Sequence, residues 1–154
     1  MYFFLVFHSL LRWLVLSSLL YAIYRAYTGY TSHRAFTPKD NAARHWTATI
    51  AQIQMLLGIL LYTQSALIKY FWRNFSEAIH QQEITFFALM HIILMVIATV
   101  TLTIGSATAK RKETDEGKFK TMLIWFIIAL VIIFIAVPWP FSPLANRPWF
   151  RAIF

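Results

Sequence analysis

A chain of 154 residues that is 59% hydrophobic and 13% charged lies outside the range of water-soluble domains, which are about 45–50% apolar and about 25% charged. The absence of cysteine excludes disulfide frameworks and thiolate metal sites. A net charge of +8 does not mark a nucleic-acid binder, because the basic residues border apolar runs instead of alternating with aromatic platforms on a polar surface.

Four apolar runs, residues 2–27, 45–70, 83–108 and 121–138, meet or approach the roughly 20 residues that cross about 30 Å of hydrocarbon as an α-helix. The first has no basic residue ahead of it and is too long for a signal-peptide core, so it reads as a retained span. Within it His8, Arg12, Val15 and Leu19 recur at helical spacing and form the expected inward stripe. Arg12 is the one permanent charge at membrane depth, away from the ends of its span. Such a residue turns toward protein or a wet cavity, unless it snorkels about ten residues' length to the headgroups. Gly29 reads as a left-handed C-cap that stops this helix.

Thr37-Pro38-Lys39-Asp40 has the form of a capping box with proline in the first helical position. The second helix therefore begins near Pro38 and meets the membrane near His45. It carries Gln52 toward one leaflet, and Tyr62, Thr63 and Gln64 near the level of His8. Tyr62, Gln64 and Arg12 offer donors for the carbonyls of a quinone; the alternative is that they glue helices together. Residues 76–82 read as a short surface helix. The third span presents His91, Met95, Ala98, Leu102 and Gly105 on one face, where two small residues leave room for a flat cofactor. Residues 110–120 form a charged turn around Gly117. The fourth span has almost no polar side chain and reads as a packing wall. The tail that follows, with Pro138, Trp139, Pro140, Phe141, Pro143 and Trp149, suits an aromatic belt at the interface.

Nine of the fourteen Lys and Arg residues flank the loops after spans one and three, whereas Lys69, Arg73, Arg147 and Arg151 lie at the other side. The positive-inside rule then puts both termini on the outer side. Short connections make neighbours antiparallel. The expected architecture is a single all-α membrane domain over 1–154, a four-helix transmembrane bundle running up-down-up-down, in contact with the lipid bilayer and not with nucleic acid.

By the helical rise, His8 lies about 9 Å and His91 about 12 Å below the same outer edge. Two imidazoles at matched depth on different helices can supply both axial nitrogens of a haem b iron. Each ligand needs its other ring nitrogen held by an acceptor. No carboxylate is near, so backbone carbonyls or hydroxyls must serve. Haem propionates need a cation, and Arg12 is the one at that depth. His45, beside Trp46 at the inner interface, finds no partner histidine at its level. Other readings of the same residues are a non-redox accessory or assembly subunit of a larger membrane complex, with His8, Arg12 and His91 as interhelical contacts, and a copper site from His8, His91, Met90 and Met95.

The motifs His8-Ser9-Leu10-Leu11-Arg12-Trp13, Gln54 through Tyr62, His91 with Thr103-Ile104-Gly105, and Val137-Pro138-Trp139-Pro140-Phe141 resemble a group of small four-helix membrane proteins of Bacteroidota described as cytochrome b-like. The resemblance covers most of the chain. It implies a multi-pass protein of the bacterial cytoplasmic membrane that transfers electrons through haem, with a membrane quinone or a respiratory complex as partner. The chain departs from the group at Gln52, where the second helix there carries a histidine. The ligand roles of His8 and His91 therefore rest on depth.

Overall fold

A computed structural model describes residues 2–145 and 147–149; Arg151 of the outer basic set lies outside them. The chain is helical: α1 Tyr2–Thr31, α2 Pro38–Gln64, α3 Ala66–Arg73, α4 Phe75–Ala78, α5 Gln82–Thr85, a π-helical turn Phe86–Met90, α6 His91–Arg111 and α7 Asp115–Ala136. Four helical stretches are long and apolar enough to cross a membrane: Tyr2–Thr31, Pro38–Gln64, Gln82–Arg111 and Asp115–Ala136. Their outward faces carry exposed Leu14, Leu20, Ile93, Ile97, Ile128 and Val131, the surface of a multi-pass membrane protein whose solvent is lipid.

The long helices pack as a ring, α1 against α2 and α7, and α6 against α2 and α7. Helices α1 and α6 thus stand diagonally across it. The core contains Val15, Leu19, Ala22 and Ala26 of α1, Ala98 and Leu102 of α6, and Phe119, Met122, Phe126 and Ala129 of α7. The expected α1 stripe through Val15 and Leu19 is buried, and α7 is the packing wall its composition suggests. A smaller apolar cluster of Ile68, Phe71, Ala78 and Ala88 lies beneath the short helices α3 to α5.

Several expected boundaries move, each for a packing reason. Helix α1 runs through Gly29 to Thr31. A Cβ at Gly29 would sit 2.3 Å from the Phe119 ring, so this glycine permits a close crossing of α1 and α7 and is no cap. The left-handed residue beyond the helix is His33, with φ 50°. The apolar run 45–70 is split: α2 stops at Gln64, and Ser65 starts α3 by accepting from the Ile68 N–H. The surface helix expected over 76–82 is the single turn Phe75–Ala78. Gly117 belongs to the first turn of α7, whose N-cap Thr114 accepts from the Gly117 N–H. Gly105 makes no room for a cofactor, because a Cβ there would meet Trp125 Cβ at 2.3 Å: the space is filled from α7.

At one end of the bundle the capping box of α2 is built as expected. Asp40 Oδ2 accepts from the Thr37 N–H at 2.9 Å and from its hydroxyl at 2.6 Å. The same fully buried carboxylate accepts from Arg25 Nε at 2.8 Å and from both terminal nitrogens of Arg34 at 2.6 and 2.8 Å. Asp40 lies in the polar first turns of α2, ahead of His45. Burial by itself would raise its pKa. The bonds from Arg34, Thr37 and Arg25 outweigh burial and hold the carboxyl well below the usual carboxylate range. Nearby Arg44, 5% exposed, joins α2 to α6 through the Ser106 carbonyl at 2.9 Å and hydroxyl at 2.6 Å, with Asn41 Oδ1 completing its shell.

Candidate functional site

The other end of the bundle encloses a cavity of about 360 Å³, within the usual range for small-molecule sites. His8, Arg12, Gln54, Tyr62, His91 and Met95 all line it. The two histidines thus come to one chamber from diagonally opposed helices, as their matched depth suggests. Its wall is otherwise largely aliphatic, including Leu16, Leu61 and Ile133.

His91 begins α6 immediately after the π turn. Its own N–H reaches back to the Phe86 carbonyl, the i→i−5 bond of that turn. Such turns occur mostly as single insertions in α-helices, frequently at functional sites. The Tyr62 hydroxyl donates to the Ala88 carbonyl within it at 2.9 Å and accepts from Trp72 Nε1 at 3.1 Å. Tyr62 therefore supports the segment that presents His91. The Phe86 and Phe87 rings flank the imidazole at 5.9 and 6.1 Å between centroids. His91 Nδ1 lies 2.8 Å from the Ala136 carbonyl at the end of α7. With the proton on Nδ1 for this bond, Nε2 carries the lone pair, the arrangement a metal-ligating imidazole requires. The acceptor is a backbone carbonyl, one of the two kinds that the lack of nearby acids left open.

His8 sits in the second turn of α1, beside α2 at Gly58. A Cβ built on Gly58 would lie 3.4 Å from His8 Cε1 and 4.0 Å from Nδ1. Without a side chain at 58, the ring rests close to the α2 backbone. Gln54, one turn earlier on the same face, donates from Nε2 to the His8 carbonyl at 3.0 Å. Its Oε1 is buried without a hydrogen-bond partner among the described residues. Gln54 is a site residue that reading by depth alone misses. The signal was present, since Gln54, Gly58 and Tyr62 recur every four residues and so share a helix face.

Arg12 lines the cavity and reaches the tail. Its terminal NH2 donates to the Pro148 carbonyl at 3.1 Å and to that of Trp149, and its guanidinium lies 5.4 Å from the Trp13 ring. The tail folds back to α1, where Trp13, Trp139, Phe141 and Trp149 form an aromatic cluster. Arg12 is also not the sole cation of the site, because Arg147 from the tail lines the same cavity.

The remaining expected residues do not converge there. Gln64 ends α2, is exposed and does not line the cavity. The trio of Tyr62, Gln64 and Arg12 for a quinone's carbonyls is thus not assembled. Gln52 donates to the Thr103 hydroxyl at 3.0 Å, away from the cavity. Met90 is exposed and also outside it, whereas Met95 lines it together with Met55. Among the described residues no group of three or more His, Cys, Asp or Glu side chains is placed to hold a metal ion. No protein-family description, curated protein or solved structure matches the chain.

Proposed function

We propose that this protein is a small b-type cytochrome of the bacterial cytoplasmic membrane, holding one haem between His8 and His91. One observation carries the reading: two histidines from diagonally opposed helices line a single, mostly aliphatic cavity, and one of them has Nδ1 fixed on a backbone carbonyl. The donor set suits a group taken by two imidazoles, since two neutral nitrogens without a carboxylate make a poor site for a bare divalent ion. Bound haem would supply one-electron redox chemistry.

The chain's own work is positional. Ala136 and the π turn hold His91 in one tautomer and orientation. Gly58 and Gln54 hold His8 and the backbone that carries it. The aliphatic wall excludes water, and Arg12 brings positive charge to the end where acidic groups would sit. The helices run up-down-up-down with both termini on the non-cytoplasmic face, an orientation supported by the nine basic residues at the opposite end. His8 and His91 would hold the group nearer the outer surface, where a membrane quinone or a respiratory complex would be its electron partner. A reduced-minus-oxidised absorbance spectrum of the purified protein tests the reading. A sharp b-type α-band that disappears in His8→Ala and His91→Ala supports it, and a colourless protein from haem-replete cells refutes it.

A second reading, a non-redox subunit of a larger membrane complex, is favoured by two bonds. His91 Nδ1 to Ala136 ties α6 to α7, and Arg12 to Pro148 ties α1 to the tail. Under that reading His91→Ala and Arg12→Ala lose stability while the wild type binds no porphyrin.

A further inference from the structure

The described tail residues, 139–145 and 147–149, form a strap at the cavity, secured on both sides. On the α5 side, Gln82 Nε2 donates to the Leu144 carbonyl at 3.1 Å and to that of Pro143, and Arg147 pairs with Glu83. On the α1 side, Arg12 donates to the Pro148 and Trp149 carbonyls, and Trp13 Nε1 donates to the Trp149 carbonyl at 3.3 Å. Trp139 roots the strap, being 6% exposed with its indole N–H on the Phe134 carbonyl at 2.8 Å.

Between these two anchors the strap delivers Arg147 to the cavity wall, with its guanidinium 4.8 Å from the Phe87 ring. Phe87 also flanks His91. Arg147 and Arg12 thus line one chamber from opposite ends of the sequence. Among the described residues no Asp or Glu lines it; Glu83 pairs with Arg147 without reaching the wall. Two guanidiniums lining a cavity whose wall is mostly apolar describe a complementary ligand: an apolar body that carries two acid groups. Guanidinium is the side chain best suited to carboxylates, because its planar fork donates two parallel hydrogen bonds.

We propose that Arg12 and the strap-borne Arg147 form a two-cation clamp for the two carboxylates of a dianionic ligand. The proposal rests on the haem reading, in which those carboxylates are the propionates. It adds Arg147 to the residues that the helices bring to the site, and gives the tail a role at the bound ligand's acidic edge.

The test is absorbance titration of protein from haem-depleted cells with haemin and with haemin dimethyl ester, whose acid groups are masked. Wild type, Arg147→Gln and Arg147→Lys are compared, with gel filtration to confirm folding. The expected result is that wild type binds the diacid more tightly than the diester. Arg147→Gln weakens the diacid by about tenfold, equivalent to one charge-assisted hydrogen bond, and leaves the diester within about twofold. Arg147→Lys retains part of the preference. Equal wild-type affinity for diacid and diester overturns the clamp while leaving the haem reading intact, and needs no variant to fold. Equal weakening of both ligands by Arg147→Gln also overturns it. Binding of neither porphyrin by wild type overturns the haem reading and the clamp together.

Discussion

Replacing Asp40 with asparagine keeps the shape of the capping box and removes the charge on which Arg25 and Arg34 converge. Three guanidinium–carboxylate bonds at 2.6 to 2.8 Å are affected. Hydrogen bonds to charged groups contribute roughly 1.5–3 kcal/mol each, but these three share one carboxylate and are not additive. The Arg25 and Arg34 side chains retain 20% and 30% exposure, so water takes over part of their solvation in the variant. The expected loss is therefore about 2–4 kcal/mol, toward the lower side of the roughly 3–5 kcal/mol for breaking a wholly buried pair. Asparagine keeps an acceptor for the Thr37 N–H, whereas Asp40→Ala forfeits that too, at about 1 kcal/mol more. Reversible unfolding in detergent at pH 7 measures both.

The pH dependence has a definite sign. The folded carboxyl titrates well below its unfolded value of about 3.9. Its contribution is therefore complete above about pH 4 and declines as the pH falls from there toward the folded value. Wild type loses stability through that acid window, and Asp40→Asn lacks this component. An asparagine variant within about 0.5 kcal/mol of wild type, the range of an inconsequential surface change, would refute the claim that this carboxylate anchors the loop between α1 and α2.

Other substitutions probe the packing and the site. Gly105→Ala places a methyl group 2.3 Å from Trp125 Cβ, and overpacking of this kind costs about 1–3 kcal/mol, read as a lower unfolding midpoint with unchanged helicity. Gly29→Ala meets the edge of the Phe119 ring, which can turn, so its loss is expected at the low end of the same range. Tyr62→Phe leaves the Ala88 carbonyl and the Trp72 indole without their shared hydroxyl. It should cost about 1–3 kcal/mol and weaken porphyrin binding, whereas Gln64→Ala at the exposed end of α2 should leave binding unchanged. Equal binding by Tyr62→Phe and wild type would show that the π turn needs no support from α2.

How much of this was legible beforehand depended on how local the deciding physics is. The four apolar stretches stand out because hydrocarbon demands length and hydrophobicity from each span separately. The capping box at Thr37 and Asp40 is chemistry within one turn. The stripe from His8 through Arg12, Val15 and Leu19 needs only the helical repeat, and the matched depth of His8 and His91 needs only the rise per residue. What escaped was decided by partners far along the chain. Gly29 resembles a helix stop until Phe119 occupies its missing side chain. Gly105 resembles cofactor space until Trp125 fills it. Arg44 and Arg147 looked like flanking charges, yet the first is buried against Ser106 and the second is carried to the cavity by a strap whose course no periodicity reveals. The π turn before His91 has no compositional mark. The break at Ser65 interrupts an apolar run because α3 turns to cover the small cluster around Phe71.

The haem reading is tested most directly by a dithionite-reduced minus air-oxidised spectrum of the protein purified from haem-replete cells, beside His8→Ala and His91→Ala. The expected result is a sharp b-type α-band in the wild type, lost in both variants while gel filtration shows them folded. A colourless wild type, or a band that survives in both variants, would contradict axial ligation by His8 and His91.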